Sequence, residues 1–301
     1  MKSYVRTHLG PIGRLRELLS LCSIHMNDVD AHVGRMLNVA RYLEARLEQA
    51  AGRSLEGAAM LEIGAGQVSI LLPYFASRAR SAVGIDTDIA PTTGGLADYM
   101  RMWRQNGSLR TLKTMARKAL GVDARVYREL KRQLAIQQLP AVSVLQMDAS
   151  AMSFPDNSFD AIYSRAVFEH LADPRACLGE VRRVLKVGGA AVFFFHLYTS
   201  VNGCHDARLL ADPHSMPYWA HLRPQYRDRI RENAYLNHLR LEEWRELFAS
   251  ELPGSLVYGQ KDSSQDIRDA LSSLRAAGEL SSYTDEELLS VTTEAVWTKT
   301  S

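Results

Sequence analysis

Two glycines one residue apart, with an acid just upstream, are the first feature that could do chemistry. The segment MLEIGAGQVSILLPYF (Met60–Phe75) runs apolar into Glu62, passes Gly64, Ala65 and Gly66, then takes up a helical pattern. Glycines at a strand end let a ligand approach bare backbone and expose the amides of the following helix. Asp86 closes the next apolar run, VGID, 22 residues after Gly64. An acid there can accept both hydroxyls of a ribose, so a nucleoside-like ligand is implied. A dinucleotide would call for G-x-G-x-x-G, but the third glycine position holds Ser69. Glu62 would also sit badly beside a pyrophosphate and well beside an ammonium group. S-adenosylmethionine carries an ammonium, a sulfonium and a ribose.

The elements that must position these residues alternate. Strands are expected at Ala59–Ile63, Ser81–Asp86, Val142–Met147, Phe159–Ser164 and Gly189–His196, with helices at Gln67–Arg78 and Pro174–Lys186, the latter closing on Gly188–Gly189. Such alternation predicts a parallel sheet covered on both faces, and AAVFFF suits a strand buried on both sides. Two more strands fit SLVYGQK and TEAVWTK. Before the sheet, residues 1–56 read as a helical extension, with Val33, Met36, Leu37, Ala40, Leu43 and Leu47 on one face. One main α/β domain over 57–301 would follow, interrupted at 90–140 by a stretch too long for an ordinary crossover. There Leu109, Leu112, Met115 and Ala119 fall on one helical face, and Val126, Leu130 and Leu134 on another, which predicts two or three amphipathic helices. That stretch holds ten Lys/Arg against three acids, a net +7 in a chain of +2.

Composition excludes several classes. With 46% hydrophobic and 23% charged residues in 301, the chain has a core to bury and is not disordered. Cys22, Cys177 and Cys204 lie far apart, so neither a disulfide framework nor a zinc site is expected, and a reducing, cytoplasmic setting is. No apolar run has the length of a membrane span. No nucleic-acid-binding module is recognisable.

The sequence resembles the class I S-adenosylmethionine-dependent methyltransferases, the broad type 11-like group, over about residues 60–200, without covering the stretch 90–140 or the residues before 57. The segments LEIGAG, VGID and DASAMSFPDNSFDAIYSRAVFEHL carry the resemblance in order. It implies an α/β, doubly wound Rossmann-like sheet of seven strands with a C-terminal antiparallel hairpin. It implies S-adenosyl-L-methionine as cofactor, with Gly64, Ala65 and Gly66 under the methionine portion and Glu62 supporting that loop near the amino group. Asp86 and Thr87 would meet the ribose, and Asp148 and Ala149 the adenine edge, although Asp148 also suits a helix N-cap. Ser164 and Arg165 would line the methionine side. Val68 stands where the family pattern has a further glycine, which tightens the pocket.

His170 and His205 are the candidate catalytic bases, since imidazole titrates near neutral pH. Each has a plainer reading, as a packing or solvated residue. Asp206 beside His205 could raise its basicity. His196, His214 and His221 lack a compact ligand spacing, so no metal is expected. Tyr198, Tyr218 and Trp219 either stack on a flat acceptor or simply pack. Asp160 reads as structural. The basic stretch is either a solvated face, a lid over a negatively charged acceptor, or a membrane-surface contact. The expected activity is methyl transfer, with O-methylation of a sugar, glycan precursor or small polar metabolite first and N-methylation second. A non-catalytic binding subunit of the same fold and an NAD-dependent oxidoreductase are the other readings. The N-terminal helices could cap the pocket or make a homo-oligomer.

Overall fold

Strands apolar on both faces need a layer on each side, and the chain supplies both. The computed structural model describes residues 28–88, 95–206, 208–209, 212, 214–261 and 264–301. Cys22 and the first 27 residues of the helical extension lie outside these. The elements run α1 (Val29–Ala51), β1 (Ala59–Ile63), α2 (Leu71–Ala76), β2 (Ser81–Asp86), α3 (Leu96–Asn106), α4 (Ser108–Ala119), α5 (Val122–Leu134), β3 (Ser143–Gln146), β4 (Phe159–Arg165), α6 (Pro174–Val184), β5 (Leu185–Phe195), α7 (Leu241–Glu251), β6 (Leu256–Lys261), α8 (Gln265–Ala276), α9 (Asp285–Leu289) and β7 (Ser290–Thr298).

The seven strands form one sheet in the order β3-β2-β1-β4-β5-β7-β6. β1, β2, β3, β4 and β5 are parallel, while β7 runs antiparallel to both β5 and β6. This is the doubly wound arrangement with its C-terminal hairpin. The strand order reverses between β1 and β4, and that crevice is where such sheets bind ligands.

Alternation along the strands divides the core in two. Leu61, Ile63, Ile162, Ala191, Phe193 and Phe195 face α6 and α7, meeting Leu178, Val181, Trp244 and Phe248. Met60, Ala161, Tyr163, Ala190, Val192 and Phe194 face the opposite way, toward α1 and α2. α1 is therefore part of the main packing. Val33, Leu37, Ala40, Leu43 and Leu47 are all fully buried, as their spacing predicts. An ion pair with a buried carboxylate joins α1 to the hairpin: the partly exposed Arg46 places Nε 2.6 Å from Oε1 of Glu294, whose side chain has no exposure. Tyr42 Oη donates to the same carboxylate at 2.8 Å.

Three expectations change. The helix after β4 stops at Val184, and Gly188 lies within β5 rather than capping the helix. Its last carbonyls need no glycine cap, because Lys299 Nζ reaches back to the carbonyls of Arg182 and Leu185, both at 2.8 Å. Helix α2 begins at Leu71 instead of Gln67, because residues 67–70 complete the loop and Ser69 Oγ accepts from the Leu72 amide at 2.9 Å. The third change lies in α4, where Leu112 and Met115 point outward and Thr111 and Thr114 are buried. No helix among the described residues is long and apolar enough to cross a membrane.

Removing one partner of a buried ion pair leaves the other charge desolvated, at a cost of about 3–5 kcal/mol. Arg46→Ala should lower the unfolding free energy by an amount in that range in urea denaturation. A loss below about 1 kcal/mol would mean the pair does not tie α1 to the sheet.

Candidate functional site

The glycine loop is held by the strand beside it. The amides of Gly64 and Ala65 donate to the Ile85 carbonyl at 2.8 and 3.1 Å, extending the β1–β2 ladder past the end of β1. Gly64 has φ +77°, and a Cβ there would lie 2.1 Å from Val167 Cγ2. Only glycine fits, because the turn after β4 presses on the loop. Gly66 has φ +65°, with no heavy atom within 4 Å of where a Cβ would stand, so its open side is available to a ligand.

Asp86 completes the loop from β2. Its Oδ2 accepts from the Gly66 amide at 2.8 Å and its Oδ1 from the Asp88 amide at 2.8 Å. Each oxygen retains a second lone pair. Burial raises the Asp86 carboxyl, against the backbone hydrogen bonds of Asp88 and Gly66 that favour the anion. Thr87 is exposed, and its carbonyl accepts from Gln146 Nε2 at 3.2 Å. Beyond β3, Asp148 is exposed and its Oδ1 takes the amide and hydroxyl of Ser150 at 2.9 and 2.7 Å, while Ala149 is buried. Asp86 and Asp148 thus stand at the carboxyl ends of two adjacent strands.

Glu62 lies beneath the loop, 5% exposed. It accepts from Ser69 Oγ at 2.8 Å and faces Tyr163 Oη at 3.4 Å. Burial pushes its carboxyl up to about 7, opposed by those two hydrogen bonds. Ser164 is fully buried and gives its hydroxyl to the Ile63 carbonyl at 2.9 Å, fixing the β1–β4 seam. Arg165 ends β4 with its side chain exposed.

A second group of side chains gathers past β4 and β5. The His170 and His205 rings lie 5.1 Å apart, and the His196 and His205 rings 5.6 Å apart. The two catalytic candidates are therefore neighbours in space. His170 Nδ1 meets the Tyr235 carbonyl at 2.8 Å and His196 Nδ1 the Val291 carbonyl at 3.0 Å, so in each neutral ring Nδ1 carries the hydrogen. Burial lowers both, and burial with the neighbouring rings pushes His205 down to about 4. Asp206 does not raise His205, contrary to the adjacency in sequence. Its carboxylate is taken by Arg208 Nε and Nη2 at 3.0 and 2.6 Å and by the Arg231 amide at 2.8 Å. Among the described residues no three side chains converge to hold a metal ion.

Glu169, whose carboxylate sequence reasoning passed over, belongs to this group. It is 3% exposed; Oε1 accepts from the His196 amide at 3.3 Å, and Oε2 is buried with no hydrogen-bond partner. Burial pushes its carboxyl up to about 7, although the nearby Arg165 charge works against this. Two non-glycine residues around the group, Ala166 and His205, have φ of 56° and 50°. Such strain gathers where surrounding structure must hold a functional geometry. The aromatic candidates largely pack. Trp219 is fully buried, donating Nε1–H to the Leu288 carbonyl at 3.3 Å, and Tyr218 Oη donates to Asp266 at 2.6 Å. Tyr198 stacks on His238 with ring centroids 3.8 Å apart.

The basic insertion reaches the loop directly. Thr114 Oγ1 donates to Gln67 Oε1 at 2.7 Å and Arg117 Nη2 to the same atom at 3.2 Å. Arg110 pairs with Asp88 at 2.6 Å. No local pattern announces these contacts, since they join positions 22 to 50 residues apart.

With this geometry in view, residues 104–193 match the family model described as a methyltransferase domain. The match begins within α3 and takes in α4 and α5, which the resemblance was not expected to cover. It leaves out the glycine loop and Asp86. A curated relative, a 37.1 kDa protein from a Streptomyces fradiae transposon, is 31% identical over 86 residues, covering 29% of this chain and 25% of its own. The chain thus matches about a quarter of that relative's length. Among solved structures, a Haemonchus contortus phosphoethanolamine N-methyltransferase 2 with S-adenosyl-L-methionine is 16% identical, over 87% of this chain and 53% of its own, at TM-score 0.47. An S-adenosylmethionine-dependent methyltransferase from Mesorhizobium loti is 13% identical, over 82% and 94%, at TM-score 0.42. The methyltransferase-domain match covers under a third of the chain, and the sheet order and the glycine loop outside it have the form expected of the class I methyltransferase fold.

A carboxyl raised by folding holds its proton more tightly in the native state. Stability attributable to it therefore falls as pH climbs from the ordinary 4.5 to about 7, and is level beyond. Glu169→Gln removes that titration. Relative to wild type, the variant should gain about 2–3 kcal/mol between pH 4.5 and 7.5 in urea denaturation at each pH. The histidines titrate in both proteins and largely cancel in the difference. A difference independent of pH would show that Glu169 is not raised.

Proposed function

We propose that the protein transfers a methyl group from S-adenosyl-L-methionine to an oxygen or nitrogen of a small polar acceptor. O-methylation of a sugar, glycan precursor or polar metabolite is the leading case. The observation that carries this reading is the left-handed Gly64–Gly66 loop bonded to Asp86 at the switch point of the sheet. The residues present suit the adenosyl ligand. Gly66 offers open backbone, Asp86 retains lone pairs for two ribose hydroxyls, and Asp148 stands one strand further out for the exocyclic amine of adenine. A buried carboxyl at Glu62, poised near neutrality, suits a neighbouring ammonium, whose charge would draw it to the anion.

When bound, the ligand supplies a methyl carbon made electrophilic by its sulfonium. The chain's own work is then alignment, exclusion of water and handling of a proton. Ala65, Ser164 and Arg165 line the loop and the β4 end; Thr87 extends the ribose side. The acceptor lies past β4 and β5, against His170, His205 and Glu169. Burial keeps both imidazoles neutral and weakly basic, whereas Glu169 is poised near neutral pH with one oxygen unpartnered. A group matched to the working pH is the better proton acceptor, so the acceptor's proton passes to this cluster with Glu169 as its strongest member. The cations of the insertion favour an acceptor with negative charge. The buried thiols of Cys177 and Cys204 suit the reducing cytoplasm.

Calorimetric titration with S-adenosylmethionine, S-adenosylhomocysteine and NAD tests this reading. The adenosyl ligands should bind with micromolar affinity, and Asp86→Ala should weaken them at least tenfold. Binding of NAD alone would favour an oxidoreductase, and binding of none a silent subunit.

A further inference from the structure

Two of the three insertion helices turn apolar side chains outward, although Met102 of α3 and Val126 and Leu130 of α5 are buried. In α3, Leu96, Met100 and Trp103 are 78%, 48% and 52% exposed, at helical spacing along one line, while Asp98 is buried. In α4, Leu112 and Met115 are exposed and Thr111 and Thr114 are not. Leu120 follows, exposed as well. Of the eleven large apolar side chains exposed among the described residues, six fall within 96–120. Their inward neighbours are polar for a reason already seen: Thr114, Arg117 and Arg110 are bonded to Gln67 and Asp88 at the glycine loop. The apolar side has been turned outward, and a patch this concentrated marks an interaction site.

Charge decides what covers it. The 90–140 stretch has ten basic residues to three acidic, a net +7, so the other residues of the chain sum to −5. Exposed Arg101 and Arg104 alternate with the apolar line of α3. A second copy docking through the same face would set the exposed Arg101 and Arg104 of one chain against those of the other. Leu, Met and Trp set among arginines on an exposed helix match the composition of helices that lie in a bilayer interface. Anionic headgroups then attract the basic rim.

We infer that α3 and α4 form a peripheral docking surface for an anionic lipid bilayer, with Leu96, Met100 and Trp103 entering the interface and Arg101 and Arg104 meeting headgroup phosphates. This does not depend on the methyl-transfer reading. It does place the membrane contact on the outer side of the helices whose inner side touches the glycine loop.

The full chain supplies its own probe. Of its four tryptophans, Trp219, Trp244 and Trp297 are at most 5% exposed, so a change in emission on docking reports Trp103. Vesicles of phosphatidylcholine with 30% phosphatidylglycerol (about 0.15 M salt, in the range where surface charge still acts) should sediment the protein and shift its emission to the blue. Pure phosphatidylcholine should bind at least tenfold more weakly. Arg101→Glu with Arg104→Glu should weaken anionic-vesicle binding tenfold or more, as should Leu96→Ser with Met100→Ser, with circular dichroism unchanged. Equal binding to both vesicle types, or no emission shift, would overturn the inference. So would a blue shift that instead follows protein concentration without lipid, which would assign the face to a second copy.

Discussion

Much of this structure depends on one hydrogen bond, from the Gly66 amide to Asp86 Oδ2 at 2.8 Å. It joins the end of β1 to the end of β2 where the sheet's strand order is about to reverse. The loop is left-handed at both glycines. Val167 closes one side of it, and Glu62 supports it from below through Ser69. Burial raises both the Glu62 and the Asp86 carboxyl, with the charge of Asp86 adding a smaller push at Glu62. The fold tolerates this because backbone amides and hydroxyls hold the anions in place. A cationic, hydroxyl-bearing ligand would relieve the same strain.

The second site has the opposite character. The imidazoles of His170, His196 and His205 are driven toward neutrality by burial, and the Glu169 carboxyl toward protonation. A buried cluster driven toward neutrality next to a loop suited to a cation is the division of labour that a displacement at carbon calls for. In the proposed reaction one region would hold the donor by electrostatics, while the other would exclude water and receive a proton. The insertion spans these concerns from outside, with polar contacts inward and apolar side chains outward.

The parallel strands, the loop and Asp86 were legible in sequence because they are local. Apolar runs, glycine spacing and one acid at a strand end mark them without reference to distant residues. The face of α1 was equally plain, since five of six periodic positions are fully buried. What escaped was set by contacts between distant positions. Lys299 caps the helix that Gly188 and Gly189 seemed to end. Gln67, 47 residues away, accepts from Thr114 and so turns α4 over. Arg208 takes the carboxylate of Asp206 and removes its influence on His205. Glu169 went unweighed because a carboxylate beside a histidine looks ordinary until its burial is known.

A crystal structure of the protein with S-adenosylhomocysteine tests the central claim most directly. The account predicts ribose hydroxyls within hydrogen-bond distance of both Asp86 oxygens, adenine beside Asp148, and the amino acid portion over Gly64–Gly66. Ligand bound elsewhere, or a ribose that leaves Asp86 untouched, would contradict it.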